Sequence, residues 1–100
     1  MEIEKNISEG EGIELTLTGR LDIVNAPKLQ TVLSEVLQSY ETTVLDFEGV
    51  EYVSSAGLRV LLNGQKIVQS AGKSMKIKNV SAEIMEVFDV TGFSGILTII

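Results

Sequence analysis

Stretches with the period-two hydrophobicity of a strand alternate along this chain with stretches of helical spacing. Residues 13–17 place apolar side chains at every second position, which indicates a half-buried strand, and Gly19 is expected to end it. Residues 43–47 are β-branched and apolar, as expected of a central strand. Between these stretches, apolar residues recur at the spacing of an amphipathic helix: Leu29, Val32, Leu33, Val36 and Leu37. Because strands that alternate with helices form parallel sheets, the pattern predicts an α/β fold.

The remaining strands follow from shorter signals. Residues 3–7 are a weak strand, and a glycine-rich turn at residues 8–12 is expected to join them to the strand at 13–17 as a hairpin. Glu48-Gly49 is expected to turn the chain after the central strand. The apolar residues within 95–100 predict a last strand.

Each helix carries a start or stop signal. Asn25 is a favoured N-cap residue, and Pro27 falls in the first turn, where its missing N–H does no harm. A second helix is expected from about Ala56 to Ala71, with Gly72 as its C-cap glycine. Ser81 is expected to cap a short third helix.

With a further strand at residues 75–78, the predicted order is β-β-α-β-α-β-α-β. The initial hairpin makes the expected sheet mixed but mostly parallel, with helices packed on it, and right-handed crossovers restrict the topology. The chain has 100 residues, which is the size of one domain, so residues 1–100 are expected to form a single domain.

Composition excludes several classes of function. The chain has no cysteine and no histidine, which removes thiolate and imidazole metal ligands and the triads of serine and cysteine hydrolases. We therefore expect no cofactor and no metal site. The net charge of −6 disfavours nucleic acid and anionic membranes as direct partners. The N-terminus lacks the basic and apolar regions of a signal peptide, so a cytoplasmic protein is expected.

The segment Tyr52–Leu61 has the composition of a functional site. Two serines, Ser54 and Ser55, stand at the predicted start of a helix and precede the small residues Ala56 and Gly57. The simplest explanation is an N-cap, worth ~1 kcal/mol over alanine, and a helix that approaches the sheet closely. A cap needs only one serine, however, and glycine inside a helix costs ~1 kcal/mol against alanine, so a close approach, for example by another chain, is expected at Gly57. A phosphate here would meet free backbone N–H groups and the positive end of the helix dipole.

The chain resembles the STAS domain, and more narrowly the bacterial anti-sigma factor antagonists. The resemblance rests on four motifs in the family's order and spacing: Gly19-Arg20-Leu21-Asp22, Leu45–Val50, Val53–Arg59 and Phe88–Phe93. It implies a partner-switching module that accepts phosphate and is not itself an enzyme. In that family a serine-kinase anti-sigma factor, related to histidine-kinase ATPases, phosphorylates the antagonist, and a PP2C-type phosphatase restores it. The unphosphorylated form binds the kinase and frees a sigma factor.

The resemblance also assigns roles to single residues. By position, Ser55 is the phosphoacceptor, and Ser54, which stands where several family members have aspartate, is the alternate. Asp22 matches a family acid near the acceptor, where it would orient the hydroxyl or contact the partner; otherwise it is a loop acid near the first helix. Ser54, Ala56 and Gly57 are expected to contact the partner. Arg59 is either a further partner contact or an exposed helix arginine. A monomer or weak dimer is expected.

Two other functions stay open from the sequence. The first is a STAS subunit or scaffold of a lipid transporter or a sensory complex, which would need no phosphorylation. The second is an enzyme that uses a carboxylate pair such as Asp22 and Asp46, although Asp46 is expected at a strand end with no catalytic role. Many family members continue into a further C-terminal helix, so the apolar residues near Ile100 are expected to be incompletely covered.

Overall fold

Five strands form one sheet in the part of the chain that the structure describes, and their order in the sheet follows the sequence. The computed structural model describes residues 1–7, 10 and 12–100. The strands are β1 (Glu2–Ile7), β2 (Gly12–Leu21), β3 (Thr42–Val53), β4 (Ser74–Lys78) and β5 (Thr98–Ile99). β1 pairs antiparallel with β2, and every other neighbouring pair is parallel. The mixed, mostly parallel sheet and the hairpin pairing are confirmed, while the predicted hairpin turn includes Ser8, Glu9 and Glu11, which lie outside the described residues.

The helices connect the parallel strands and complete the predicted order. They are α1 (Ala26–Ser39), α2 (Ser55–Ala71) and α3 (Ala82–Thr91), and a short 3-10 helix follows at Phe93–Gly95. Gly72 ends α2 in the left-handed conformation, as predicted. The Ser81 hydroxyl accepts the Ile84 N–H at 3.2 Å, so the predicted cap of α3 is also confirmed.

One face of the sheet carries the core. Because the parallel strands lie in chain order and such crossovers are right-handed, the three helices cover the same face. Side chains that face the helices are buried, as in the alternation of buried Leu15 and Leu17 with half-buried Thr16. Phe47 of β3 packs on Phe88 of α3, with ring centroids 6.3 Å apart. The largest fully buried side chains among the described residues are Phe47, Phe88, Leu15, Leu17, Leu21, Leu29, Leu33, Leu37, Leu45, Leu61, Met75 and Ile77.

The expected breaks in β2 and β3 are wrong. β3 continues through Glu48-Gly49 without a turn, because the pairing with β2 shifts there and the extra residues are taken up as bulges. The carboxylate of Asp46 accepts the Glu48 N–H at 3.0 Å and so satisfies a donor near the first shift. Asp46 therefore lies inside β3 and not at a strand end. Gly19 does not end β2 either, since with a φ of +107° it lies at the second shift, and the strand continues to Leu21.

Two further predictions, the cap of α1 and the extent of the last strand, are wrong in detail. Asn25 occupies the N-cap position of α1, but its side chain makes no capping hydrogen bond. Its Oδ1 accepts the N-terminal ammonium of Met1 at 3.3 Å, and its amide nitrogen donates to the Arg20 carbonyl oxygen and the Asp22 carboxylate. The last strand is limited to Thr98–Ile99, since Phe93–Gly95 form the 3-10 helix and the N–H groups of Ile96 and Leu97 donate back to the Phe93 carbonyl oxygen. Near this edge Leu97 is buried while Ile96 and Ile100 are exposed, which agrees with the expected incomplete cover.

Among the described helices, none combines the length and the apolar character that crossing a membrane requires.

Candidate functional site at the start of α2

The two serines at the start of α2 lie in different environments. Ser54 is the N-cap, and its hydroxyl accepts the backbone N–H of Gly57 at 3.3 Å. Ser55 is the first helical residue and is exposed. Within the described residues, no intramolecular hydrogen bond involves the Ser55 hydroxyl, so that group can meet a reactant from solvent without first giving up a contact.

The start of α2 is held against the end of β2. The backbone N–H of Ser54 donates to the carbonyl oxygen of Leu21 at 2.9 Å. A Cβ on Gly57 would lie 2.6 Å from Leu21 Cγ and 2.7 Å from the Leu21 carbonyl oxygen, closer than real Cβ contacts come. The close approach expected at Gly57 is therefore made by Leu21 of the same chain. Gly57 itself is buried, whereas Ala56 is half-buried and Arg59 is exposed on the following turn.

Asp22 organises the loop that joins β2 to α1. One of its carboxylate oxygens accepts the backbone N–H of Val24 at 3.1 Å and that of Asn25 at 3.0 Å, together with the Asn25 side-chain amide at 3.2 Å. The other oxygen lies 3.7 Å from Arg20 Nε. The Asn25 N–H, the Val24 N–H and the Arg20 charge together hold the pKa of the Asp22 carboxyl below its usual value. Asp22 is thus an ionised acid that fixes the shape of its own loop.

The carboxylate pair that the enzyme alternative would use does not assemble. Asp46 lies opposite Thr16 in the sheet, and its carboxylate accepts the side-chain amide of Asn79 at 3.0 Å. Asp22 follows Thr16 by six residues along the direction of β2. At a rise of roughly 3.3 Å per residue, about 20 Å separates the two acids, too far for joint acid–base chemistry. Asp22 also makes no hydrogen bond to Ser54 or Ser55 among residues 1–7, 10 and 12–100, so the described structure shows no contact through which it would orient the acceptor.

Two apolar side chains beside this site are the feature that sequence reasoning missed. Ile23 and Val24 are 76% and 78% exposed, although both are aliphatic. They lie in the Asp22 loop, which starts immediately after the Leu21 carbonyl that binds Ser54. The available signal was a pair of consecutive apolar residues that fits neither the period of β2 nor that of α1. On the adjoining strand ends, the Arg20 guanidinium stacks on the Tyr52 ring at 4.3 Å from its centroid.

No group of three or more acidic residues is placed to hold a metal ion within the described ranges. The arrangement at the start of α2 therefore consists of an exposed hydroxyl at a helix N-terminus, a buried glycine behind it and a rigid loop beside it. Chemically, the hydroxyl is a group that another protein can modify, and the surface around it is one that another protein can cover.

Comparison with known proteins agrees with this fold. A family model described as "Mlab, STAS domain" matches residues 7–98. The anti-sigma-B factor antagonist of Bacillus subtilis (strain 168) is 29% identical over 100 residues, which cover 99% of this chain and 92% of that protein. The structure of the anti-sigma factor antagonist SpoIIAA in its unphosphorylated form matches with a TM-score of 0.79 at 16% identity, over 99% of this chain and 87% of that one.

The phosphorylated form of Bacillus SpoIIAA matches with a TM-score of 0.77 at 17% identity, over 99% of this chain and 91% of that one. At such identities the structural likeness shows the fold alone. The family model covers most of the chain, and the matched residues include β2, all three helices and the Ser54-Ser55 segment. The chain therefore belongs to the STAS domain family.

Proposed function

We propose that this protein is an anti-sigma factor antagonist whose binding is controlled by phosphorylation of Ser55. The observation that carries the proposal is the division of roles between the two serines, since the Ser54 hydroxyl caps α2 while Ser55 is exposed. The name of the Bacillus subtilis relative, an anti-sigma-B factor antagonist, supports the same role. The unphosphorylated form binds a serine-kinase anti-sigma factor of histidine-kinase-like ATPase fold and so frees a sigma factor. A PP2C-type phosphatase returns the phosphorylated form to the binding state.

The switch follows from charge and bulk at a fitted interface. A phosphate adds about −1.5 to −2 charges at neutral pH. At the first residue of α2 that charge is tolerated by the domain, because it meets free backbone N–H groups and the positive end of the helix dipole. In a complex the same charge would be buried against the partner, where an uncompensated charge costs several kcal/mol. Release therefore needs no change of fold.

The residues next to Ser55 in the sequence are small and uncharged. Ala56 presents only a methyl group beside the acceptor, and Gly57 lets α2 start close to β2. Asp22 acts by shaping its loop and by contact with the partner, and Arg59 lies on the next exposed turn. Under this proposal the chain is a single phosphate-accepting domain without a cofactor. It acts in the cytoplasm as a monomer or weak dimer.

The test is a binding measurement with purified serine kinases of this ATPase class from the same organism. Wild type and Ser55→Ala are expected to bind the same kinase, and Ser55→Asp to bind it about a hundredfold more weakly or not at all. Ser81→Asp is the matched control, since it adds the same charge at the start of another helix, α3. Equal binding of the kinase by Ser55→Asp and wild type would refute the proposed release mechanism.

The description of the matched family model favours a second candidate. The alternative is a STAS subunit or scaffold that uses the same fold without a phosphorylation switch. It is favoured because the matched family model is named for Mlab and not for an anti-sigma factor antagonist. It predicts that wild type, Ser55→Ala and Ser55→Asp all retain one non-kinase partner with equal affinity. The same binding assay therefore separates the two functions.

A further inference from the structure

The Asp22 loop, residues 22–25, presents two aliphatic side chains to solvent on a rigid backbone. Ile23 and Val24 are 76% and 78% exposed. Single exposed aliphatic residues are common on protein surfaces, but these two are consecutive and lie in a loop whose backbone is fixed. The Asp22 carboxylate accepts the Val24 and Asn25 N–H groups, and the Ala26 N–H donates to the Asp22 carbonyl oxygen at 2.8 Å. A partner would therefore bind these side chains without first ordering the loop.

The loop is next to the proposed phosphoacceptor. The hydrogen bond of 2.9 Å between the Ser54 N–H and the Leu21 carbonyl oxygen joins the two segments. Ser55 is one residue beyond Ser54, and Ile23 is two residues beyond Leu21. Even if both segments were fully extended, the backbones of Ser55 and Ile23 would lie within roughly 16 Å of each other. A protein interface of standard size removes about 800 Å² from each partner, a patch about 30 Å across. A partner centred on Ser55 therefore covers the Asp22 loop as well.

The carboxylate of the loop does not oppose an apolar contact, because it is engaged within the domain. Asp22 is the acid of the loop, and its carboxylate is engaged by three hydrogen-bond donors and by Arg20 at 3.7 Å. The Asp22 charge is therefore compensated within the domain, and the N-terminal ammonium of Met1, which donates to Asn25 Oδ1 at 3.3 Å, is a further charge at this loop. Burial of apolar surface is the dominant favourable contribution to most protein–protein association.

We propose that Ile23 and Val24 are the apolar anchor by which this protein docks on the serine kinase that phosphorylates Ser55, in a hydrophobic pocket beside the kinase active site. The inference rests on the proposed function and adds to it the residues that hold the kinase in place. Because these residues bind the kinase and take no part in phosphoryl transfer, they set the affinity of the complex and the KM of phosphorylation, and they leave kcat unchanged.

The test compares Ile23→Ser and Val24→Ser with wild type and with Ile7→Ser, using the purified kinase and ATP. Ile7 is the matched control, because it is an aliphatic residue 71% exposed on β1, paired with Ile13 near the other end of β2. Each loop variant is expected to raise Kd and KM about tenfold, with kcat within about twofold of wild type. Ile7→Ser is expected to match wild type. Circular dichroism melting of each variant checks that the fold is retained.

Three results would overturn the proposal. If wild type binds and is phosphorylated on Ser55 while both loop variants behave like wild type, the anchor is refuted and the proposed function stands. If Ile7→Ser weakens binding as much as the loop variants do, the effect is not specific to the Asp22 loop. If wild type itself binds no kinase, the proposed function is refuted and the anchor falls with it.

Discussion

Replacing Gly57 by alanine would put a Cβ where Leu21 already lies. The new atom would be 2.6 Å from Leu21 Cγ and 2.7 Å from the Leu21 carbonyl oxygen. The side chain of Leu21 is fully buried and has little room to move, and its carbonyl oxygen also accepts the Ser54 N–H at 2.9 Å. Relief of the clash must therefore displace α2 from the end of β2 or strain this hydrogen bond.

The magnitude is a balance of two terms. Alanine gains ~1 kcal/mol over glycine inside a helix. Overpacking a well-packed site costs about 1–3 kcal/mol, and two contacts below 3.0 Å, one of them to backbone, place Gly57→Ala at or above the upper end of that range. The expected net effect is a loss of about 2 kcal/mol in the free energy of unfolding. For a domain of this size that corresponds to a fall in Tm on the order of 10 °C.

Gly64→Ala is the matched control in the same helix. A Cβ on Gly64 would lie 3.0 Å from Met75 Sδ and 3.4 Å from Met75 Cε, which belong to a flexible side chain. The same helical gain of ~1 kcal/mol should then offset the repacking, and the free energy of unfolding should change by less than about 1 kcal/mol. Urea unfolding followed by circular dichroism measures both variants. If Gly57→Ala were as stable as Gly64→Ala, the close approach of Leu21 would not be what requires glycine at this position.

The remaining predictions concern the serines and the Asp22 loop. Ser54→Ala should lower the free energy of unfolding by ~1 kcal/mol because the Gly57 N–H loses its acceptor. Ser55→Ala should change it by less than about 0.5 kcal/mol. Urea unfolding compares the two variants, and equal losses would contradict the assignment of Ser54 as the cap. Because hydrogen bonds from the Asn25 and Val24 N–H groups lower the pKa of the folded Asp22 carboxyl, its contribution to stability is present above the unfolded pKa of about 3.9 and is lost as the pH falls through the lower folded pKa. Asp22→Asn should therefore reduce stability at pH 7 and make it less dependent on pH between about 4 and 2, as thermal melts across this range would show. An unchanged acid profile in Asp22→Asn would mean that the carboxylate is not a source of acid sensitivity.

The sequence predicted the helices well because their signals are local. The apolar spacing of α1 and the caps at Ser81 and Gly72 depend on residues within one or two turns. The order of the elements then followed, and parallel pairing follows from the alternation of strands and helices. What depended on pairing between strands was less predictable. The single long β3 was divided at Glu48-Gly49 because a glycine next to a charged residue has the composition of a turn, whereas the sheet accommodates the pair at a bulge.

The Ser54-Ser55 pair lies at the start of α2 as predicted, whereas the contacts around it were predicted only in part. The Ser54-Ser55 pair identified the start of α2, but which hydroxyl is free depends on a hydrogen bond that the sequence does not specify. The reason for Gly57 lies in Leu21, a residue 36 positions earlier in the chain. The exposure of Ile23 and Val24 depends in the same way on how Asp22 folds its loop. Contacts between distant segments, and not composition, decide these features.

Ser55 is the residue whose phosphorylation we propose to control binding. The most direct test is to incubate wild type, Ser54→Ala and Ser55→Ala with the purified serine kinase and ATP, and to locate the phosphate by tandem mass spectrometry. One phosphate is expected on Ser55 in wild type and in Ser54→Ala, and none in Ser55→Ala. Phosphate on Ser54, or phosphorylation of Ser55→Ala equal to that of wild type, would contradict it.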